Sequence, residues 1–395
     1  MKEISKIAAA VQASTTLQVD ALYKQMKADG KDVIGFGAGE PDFDTPEYIK
    51  EAAYKAIRDG HTKYTPANGI PALRQAIADK LMADCRIDYD PDQIVVASGA
   101  KHNIYVVLQT LINPGDEVIL PAPFWVTYAE AIKMVGGVPV IVDAPEASDF
   151  KITGEQLEAA VTDKTKLLII NNPCNPTGML FDADELRGLV DVCMKHDLYI
   201  MADEIYYNLV YDGRKFTSIA EFGEDVRERT IIINGVSKTY AMTGWRIGYS
   251  ASNQRLAKIM GNYLSHSTSS PSTISQIAAT EALTGPQESV FEMRDAFEQR
   301  RNYIVKRIGE IEGVSCLKPE GAFYVMLNME KLVGRTLGGK LINNSDDFSL
   351  ALLESGNVAA VSCSGFGCEN FIRFTYAASM ETIKEGMDRL ERFVT

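Results

Sequence analysis

The chain of 395 residues is 46% hydrophobic and 24% charged, long enough for two or three domains and too apolar to be disordered as a whole. A formal charge of −13 argues against gripping a nucleic-acid backbone or an anionic membrane, so an anionic ligand must be held by a few local basic residues. The first residues, Met1 to Thr16, contain no apolar core of signal-peptide length. The longest uncharged stretch, Ile259 to Thr280, is dense in Ser and Thr and broken by Pro271, a poor membrane span. Cys85, Cys174, Cys193, Cys316, Cys363 and Cys368 form no CxxC, and the 4 His of the chain assemble no zinc site. Reduced thiols, no metal, and a cytoplasmic protein that touches neither membrane nor nucleic acid are the expectations.

In chain order, Pro71 to Leu81 predicts an amphipathic helix with Pro in its first turn. Ile94–Ala97 predicts a buried strand, followed by the turn Ser98-Gly99-Ala100 and a helix from Lys101. Val118–Leu120, Pro139–Val142, Leu167–Ile170, Leu198–Ala202 and Ile231–Ile233 are further apolar runs, separated by helical periodicity. Runs that are apolar throughout are what a parallel sheet covered on both faces demands. After about Pro286 come a long charged helix (288–309), a strand within Gly321–Leu327, a Gly/Asn-rich passage (334–344) and a last strand, Phe371–Thr375. The expected fold is α/β, with a mostly parallel doubly wound sheet as a large domain over 48–285. A smaller α+β domain is expected from 1–47 and 286–395, its N-terminal arm lying against that domain or a partner subunit.

Polar residues concentrate just past the apolar runs, where doubly wound sheets bind ligands. Ser98-Gly99-Ala100 would present helix-start amides to a phosphate. It is not a GxxxxGK[ST] loop, and Gly35-Phe-Gly-Ala-Gly-Glu-Pro fails as a dinucleotide fingerprint by its spacing, which disfavours a nicotinamide dehydrogenase. In Gly235-Val-Ser-Lys-Thr-Tyr-Ala-Met-Thr-Gly-Trp-Arg-Ile-Gly a lysine follows an apolar strand directly. Burial there would lower the pKa of Lys238 and expose the neutral amine that forms Schiff bases. Ser237 adds a hydroxyl donor, and Arg246 a planar fork suited to a phosphate dianion.

This stretch resembles the cofactor-lysine signature of the class I, fold type I, pyridoxal-phosphate-dependent aminotransferases. Gly37-Ala-Gly-Glu-Pro-Asp-Phe-Asp-Thr-Pro, Tyr64-Thr-Pro-Ala-Asn-Gly, Pro173-Cys-Asn-Pro-Thr-Gly, Asp203-Glu-Ile-Tyr and Arg373-Phe-Thr-Tyr-Ala are similar to family landmarks in the same order, across nearly the whole chain. The nearest likeness is to the bacterial aspartate aminotransferase subgroup. The resemblance implies pyridoxal 5'-phosphate joined to Lys238 as an internal aldimine, with the lysine later shuttling a proton. It implies that Asp203 faces the pyridine nitrogen, that Asn175 and Tyr206 face the ring oxygen, and that Trp125 stacks on the ring. Gly99, Ala100, Lys101, Ser237 and Arg246 would surround the phosphate, and Tyr64 would reach the phosphate of a neighbouring subunit in a homodimer with shared sites. Arg373 would clamp the substrate α-carboxylate, helped by Asn175 and the Gly39 backbone, and Lys101 would meet a distal carboxylate. The small-molecule partners implied are an L-amino acid, foremost aspartate, and a 2-oxo acid.

One departure stands out. After Val361 the family usually reads Pro-Gly and later Phe-Gly, whereas this chain reads Ser362-Cys-Ser-Gly-Phe-Gly. Losing the rigid Pro alters a loop near the substrate, so donor choice among aspartate, aromatic amino acids, alanine and prephenate stays open, as does a C–S lyase on the same scaffold. A non-catalytic sensor would need an output module such as a basic helix-turn-helix, and none precedes Lys50. The passage 334–344 is a candidate mobile lid.

Overall fold

The computed structural model describes residues 2–11 and 15–395, and in it the unbroken apolar runs become strands. In chain order these are β1 (Ile34–Gly35), β2 (Ile94–Ala97), β3 (Glu117–Ala122), β4 (Val138–Asp143), β5 (Thr165–Asn171), β6 (Tyr199–Asp203), β7 (Thr230–Gly235) and β8 (Gly248–Ala251). They are followed by β9 (Tyr324–Asn328), β10 (Thr336–Leu337), β11 (Lys340–Leu341), β12 (Val358–Ala359), β13 (Val361–Ser362) and β14 (Phe371–Thr375). Among the described residues one sheet has seven strands in the order β2-β8-β7-β6-β5-β3-β4. Neighbours from β7 to β4 are parallel, while β8 runs antiparallel to both β7 and β2.

Both faces of this sheet are covered, and the two-residue period of a strand shows it directly. Leu167 and Ile169 enter one cluster with Ile104, Val107 and Leu108 of the helix Ala100–Leu111, while Leu168 and Ile170 enter another with Leu186, Leu189 and Cys193 of the helix Ala183–Lys195. Two strands depart from expectation. β8 is a short Gly-Tyr-Ser-Ala run without an aliphatic signature, extended because partners flank it on both sides. β4 is an edge strand, and Val138 and Ile141 stay 45% and 42% exposed on it.

A second sheet, antiparallel and in the order β13-β14-β9, is built from the last quarter of the chain, and β1 pairs in parallel with β12 beside it. The helix Glu288–Glu310 connects the two regions. Its buried residues Val290, Met293, Phe297, Arg301, Ile304 and Ile308 recur at three- and four-residue intervals, one apolar stripe. Val290 belongs to the core of the large sheet, whereas Met293, Phe297, Ile304 and Ile308 belong to that of the small one. Arg301 is tolerated in the stripe because Asp212 accepts both ends of its guanidinium at 2.8 and 2.9 Å and the Pro319 carbonyl accepts at 2.8 Å. Those bonds hold the Asp212 carboxyl down at about 2.

The uncharged stretch 259–280 folds into parts of two helices, Gln254–Ser267 and Thr273–Thr284, and no helix among the described residues is long and apolar enough to cross a membrane. The passage 334–344 forms the β10–β11 hairpin, seated so closely that a Cβ on Gly338 would lie 2.6 Å from Ser355. None of its residues lines the cleft described below. The helix Thr15–Ala28 packs Met26 against Val33, Leu353 and Ala359 beside β12.

Phe297 is fully buried, its ring 5.5 Å from that of Phe43 and 5.4 Å from that of Phe323. Phe297→Ala is expected to cost about 3–5 kcal/mol of stability in urea unfolding, because the cavity opens where the helix meets the small sheet. A loss below about 1 kcal/mol would contradict that placement.

Candidate active site

Because β8 is antiparallel to both neighbours, β2 points the same way as β7, β6 and β5, and all four carboxyl ends meet at one edge of the sheet. A cleft of about 540 Å³ opens there, closed on its other side by Gly37–Glu40, Tyr324 and Arg373 from the region of the small sheet.

After β2, Gly99 precedes the helix Ala100–Leu111 with φ +92°; its carbonyl accepts from the His102 and Asn103 amides, which leaves the Ala100 and Lys101 amides for a ligand. The positive φ favours glycine there, and a Cβ would lie 2.4 Å from Arg246 Nη2, so the guanidinium would have to move aside. Arg246 donates from Nη1 to the Thr243 carbonyl at 2.8 Å and lines the cleft beside Ser237, Ala100 and Lys101. Lys101 stands over the Trp125 ring with Nζ 4.7 Å from its centre, and burial, together with the Arg246 charge, lowers its pKa.

At the end of β6, Asp203 is 3% exposed and accepts from Tyr128 Oη at 2.6 Å and from the Ile205 amide at 3.2 Å. Burial pushes its carboxyl up to about 6, against those two bonds and the Lys238 charge. Trp125 stacks edge-to-face on Tyr128 with ring centres 5.5 Å apart. Glu204, next in the chain, turns away and accepts from Ser218 Oγ at 2.6 Å; burial pushes its carboxyl to about 8.

Lys238 follows β7. It is half-buried and lines the cleft, and Nζ donates to the Gly39 carbonyl at 2.5 Å. Desolvation lowers its pKa to about 8; Glu40 and Asp203 work against the shift, and Arg373 and Arg246 reinforce it. Glu40 itself accepts from Thr243 Oγ1 at 2.7 Å.

Arg373 lies in the middle strand of the small sheet and is 3% exposed. Nη1 donates to Asn175 Oδ1 at 2.9 Å and Nη2 to the Gly37 carbonyl at 3.0 Å, while Nε has no partner among the described residues. Tyr324 and Phe366 flank the guanidinium at 4.5 and 5.1 Å. Asn175 is held by its amide donating to Asn171 Oδ1 at 2.7 Å, and the hydroxyls of Tyr206 and Tyr324 bond at 3.0 Å. Eleven of the expected residues thus line one cleft: Gly39, Ala100, Lys101, Trp125, Asn175, Asp203, Tyr206, Ser237, Lys238, Arg246 and Arg373, while Gly99 stands just behind Ala100 and does not line it. Tyr64 does not join them; its side chain is 94% exposed. The carbonyl that touches Arg373 is that of Gly37, whereas Gly39 serves Lys238.

The family model of aminotransferase class I and II matches residues 31–390. The chain belongs to that family. The enzyme is 47% identical over 392 residues to an aspartate aminotransferase of Bacillus subtilis, covering 99% of each chain. It is 45% identical to an aspartate/prephenate aminotransferase of Cereibacter sphaeroides, covering 100% of this chain and 99% of that one. Among solved structures, the aspartate aminotransferase of Rhizobium meliloti superposes with a TM-score of 0.96 at 39% identity over 100% of this chain and 99% of that one. The Thermus thermophilus aspartate aminotransferase with maleate gives 0.94 at 36% over the whole of both chains. The fold is accordingly that of the fold type I enzymes.

Sequence reasoning overlooked Tyr128, Tyr324, Glu40 and Phe366. Tyr128 was reachable through its three-residue spacing from Trp125, but nothing local marks Tyr324 or Phe366, which meet Arg373 only across the small sheet. Among the described residues no group of three or more His, Cys, Asp or Glu is placed to hold a metal ion.

The amine of Lys238 is nucleophilic only when neutral, so its acylation in cofactor-free protein should rise with pH through a midpoint near 8, read peptide by peptide by mass spectrometry. Exposed lysines should follow the ordinary midpoint near 10.4. A midpoint for Lys238 among theirs would contradict the desolvated site.

Proposed function

We propose that this aminotransferase carries pyridoxal 5'-phosphate on Lys238 and moves an amino group between L-aspartate and 2-oxoglutarate by a ping-pong route. The observation that carries the reading is the convergence of a lysine with a depressed pKa, a buried aspartate and a stacked arginine on one cleft. Aspartate is favoured over aromatic amino acids or alanine because full-length relatives bearing that name match at 47% identity.

The donor set suits the cofactor. Helix-start amides at Ala100, the Ser237 hydroxyl and the Arg246 fork would hold a phosphate monoester. Gly248 keeps that turn close, since a Cβ there would lie 2.2 Å from the Ala100 nitrogen. Asp203, dry and already bonded to Tyr128, would hold the proton of a ring nitrogen, whose positive charge would draw the carboxyl pKa back down. Asn175 and Tyr206 would donate to a ring oxygen, and Trp125 would cover the ring face. When bound, the cofactor supplies an electrophilic carbonyl for the amino group and a ring that accepts electrons from Cα.

The chain's own residues do the rest. The paired donors of Arg373 take the α-carboxylate and turn the Cα–H toward Lys238 Nζ, which takes that proton and would hand it to the cofactor carbon that keeps the amino group. Tyr324 and Phe366 exclude water from the guanidinium faces, strengthening the ion pair. Lys101, at the cleft edge over Trp125, meets the distal carboxylate. We further propose a large domain over 48–285 and a small one from 1–47 and 286–395, and a homodimer in which the exposed Tyr64 serves the partner's phosphate site. Cysteines that are all free suit a cytoplasmic setting.

Arg373→Lys keeps the charge but loses the fork, and should raise KM for amino and oxo acid about tenfold to a hundredfold with the cofactor retained. Lys238→Ala should abolish the borohydride-trapped adduct found by mass spectrometry. In a substrate panel scored by bleaching of the cofactor band, aspartate should react fastest and yield glutamate stoichiometrically with 2-oxoglutarate; pyruvate and ammonia without glutamate would indicate a lyase instead.

A further inference from the structure

The family departure at Ser362-Cys363-Ser364 coincides with a chain of hydroxyl groups. Ser345 Oγ and Ser362 Oγ are 2.9 Å apart, Ser362 Oγ donates to Ser364 Oγ at 3.1 Å, and Ser364 Oγ donates to Asp346 Oδ1 at 2.8 Å. A carboxylate can only accept, so Ser364 must donate to Asp346, Ser362 to Ser364, and Ser345 to Ser362. The Ser364 amide also donates to Ser362 Oγ, at 3.3 Å. Ser345 is fully buried and Ser362 is 5% exposed, so each hydroxyl needs its neighbour. Ser345 and Asp346 open the helix Ser345–Gly356, which Asn344 caps by accepting from the Asp347 amide. The chain therefore ties β13 and the turn after it to a helix start.

What β13 and that turn carry is the surroundings of Arg373. Val361 pairs with Arg373 across β13 and β14, and its Cγ2 would lie 3.4 Å from a Cβ on Gly37, whose carbonyl accepts from Arg373 Nη2. Phe366, two residues past Ser364, covers one face of the guanidinium. The Phe366 carbonyl accepts from the Phe124 amide at 3.0 Å, immediately before Trp125. Alternation along the strand sends Val361 toward the cleft and Ser362 to the opposite side, where the hydroxyl chain lies.

We infer that Ser345, Ser362, Ser364 and Asp346 act as a clasp that positions the Arg373 guanidinium for the substrate carboxylate, with Ser362 and Ser364 as positioning residues in place of the family's rigid Pro. The inference rests on reading Arg373 as the α-carboxylate clamp. It requires the clasp to act on carboxylate binding and to leave the Lys238 end of the cleft untouched.

The test uses the holoenzyme. Ser362→Ala and the milder Ser364→Ala should each raise KM for amino donor and oxo acid together, about three- to tenfold, with kcat within about twofold of the parent. Maleate, a dicarboxylate probe, should bind more weakly by the same factor in a spectral titration, while the cofactor band and its pH midpoint stay in place. Ser364→Thr, which keeps the hydroxyl, should restore both KM values. If Ser362→Ala does not fold, the Ser364 pair decides alone, because that residue is only half-buried. Unchanged KM and maleate binding in Ser364→Ala, or a fall in melting temperature or kcat without a rise in KM, would overturn the clasp. If Arg373→Lys also left KM unchanged, the reading of Arg373 would fail first; a raised KM in Arg373→Lys with none in the serine variants would sink the clasp alone.

Discussion

The cleft is organised around two desolvated groups of opposite charge, the Lys238 amine and the Asp203 carboxyl. Burial disfavours either charge, so it moves the two pKa values toward one another, the lysine down to about 8 and the aspartate up to about 6. The shifts bring a neutral amine within reach near neutral pH at the lysine and hold the aspartate carboxyl above its ordinary range. The balance is kept by separate partners: Tyr128 and the Ile205 amide bond Asp203, while the Gly39 carbonyl and the nearby Glu40 hold Lys238.

That arrangement follows from sheet geometry. β6 and β7 are parallel neighbours, with Asp203 in register with Ile233, so residues just beyond their ends emerge side by side. β8, flanked by antiparallel partners, allows β2 to join the same edge and brings the Gly99 turn over Gly248. The glycines matter here because backbone meets backbone; a methyl group at Gly248 would occupy the place of the Ala100 amide.

The small sheet brings to the cleft a cation in a dry setting, Arg373. Arg373 is affordable when buried because Asn175 and Gly37 satisfy two of its nitrogens and two aromatic rings cover its faces. Its position depends on segments 35–37, 171–175 and 358–375, of which the first and last share one core with the buried stripe of the helix Glu288–Glu310.

Much of this was legible in the residues. Unbroken aliphatic runs demanded a sheet covered on both faces, and Leu167 to Ile170 divide between two cores as that pattern requires. Lys238 and Asp203 were marked by standing at the ends of such runs, where a polar side chain must have a use. The exposed edge at β4 and the extended β8 were not legible, because both depend on which neighbour lies alongside, not on local composition. The same holds for the rings of Tyr324 and Phe366 around Arg373; the serines after Val361 were visible in the sequence, but the hydroxyl chain they form was not. Taken alone, the order of residues determined which segments must be buried and where a reactive amine would emerge. Which rings enclose the arginine, and which carbonyls take its protons, was decided only when contacts distant in the chain closed, since those energies exist only between surfaces already brought together.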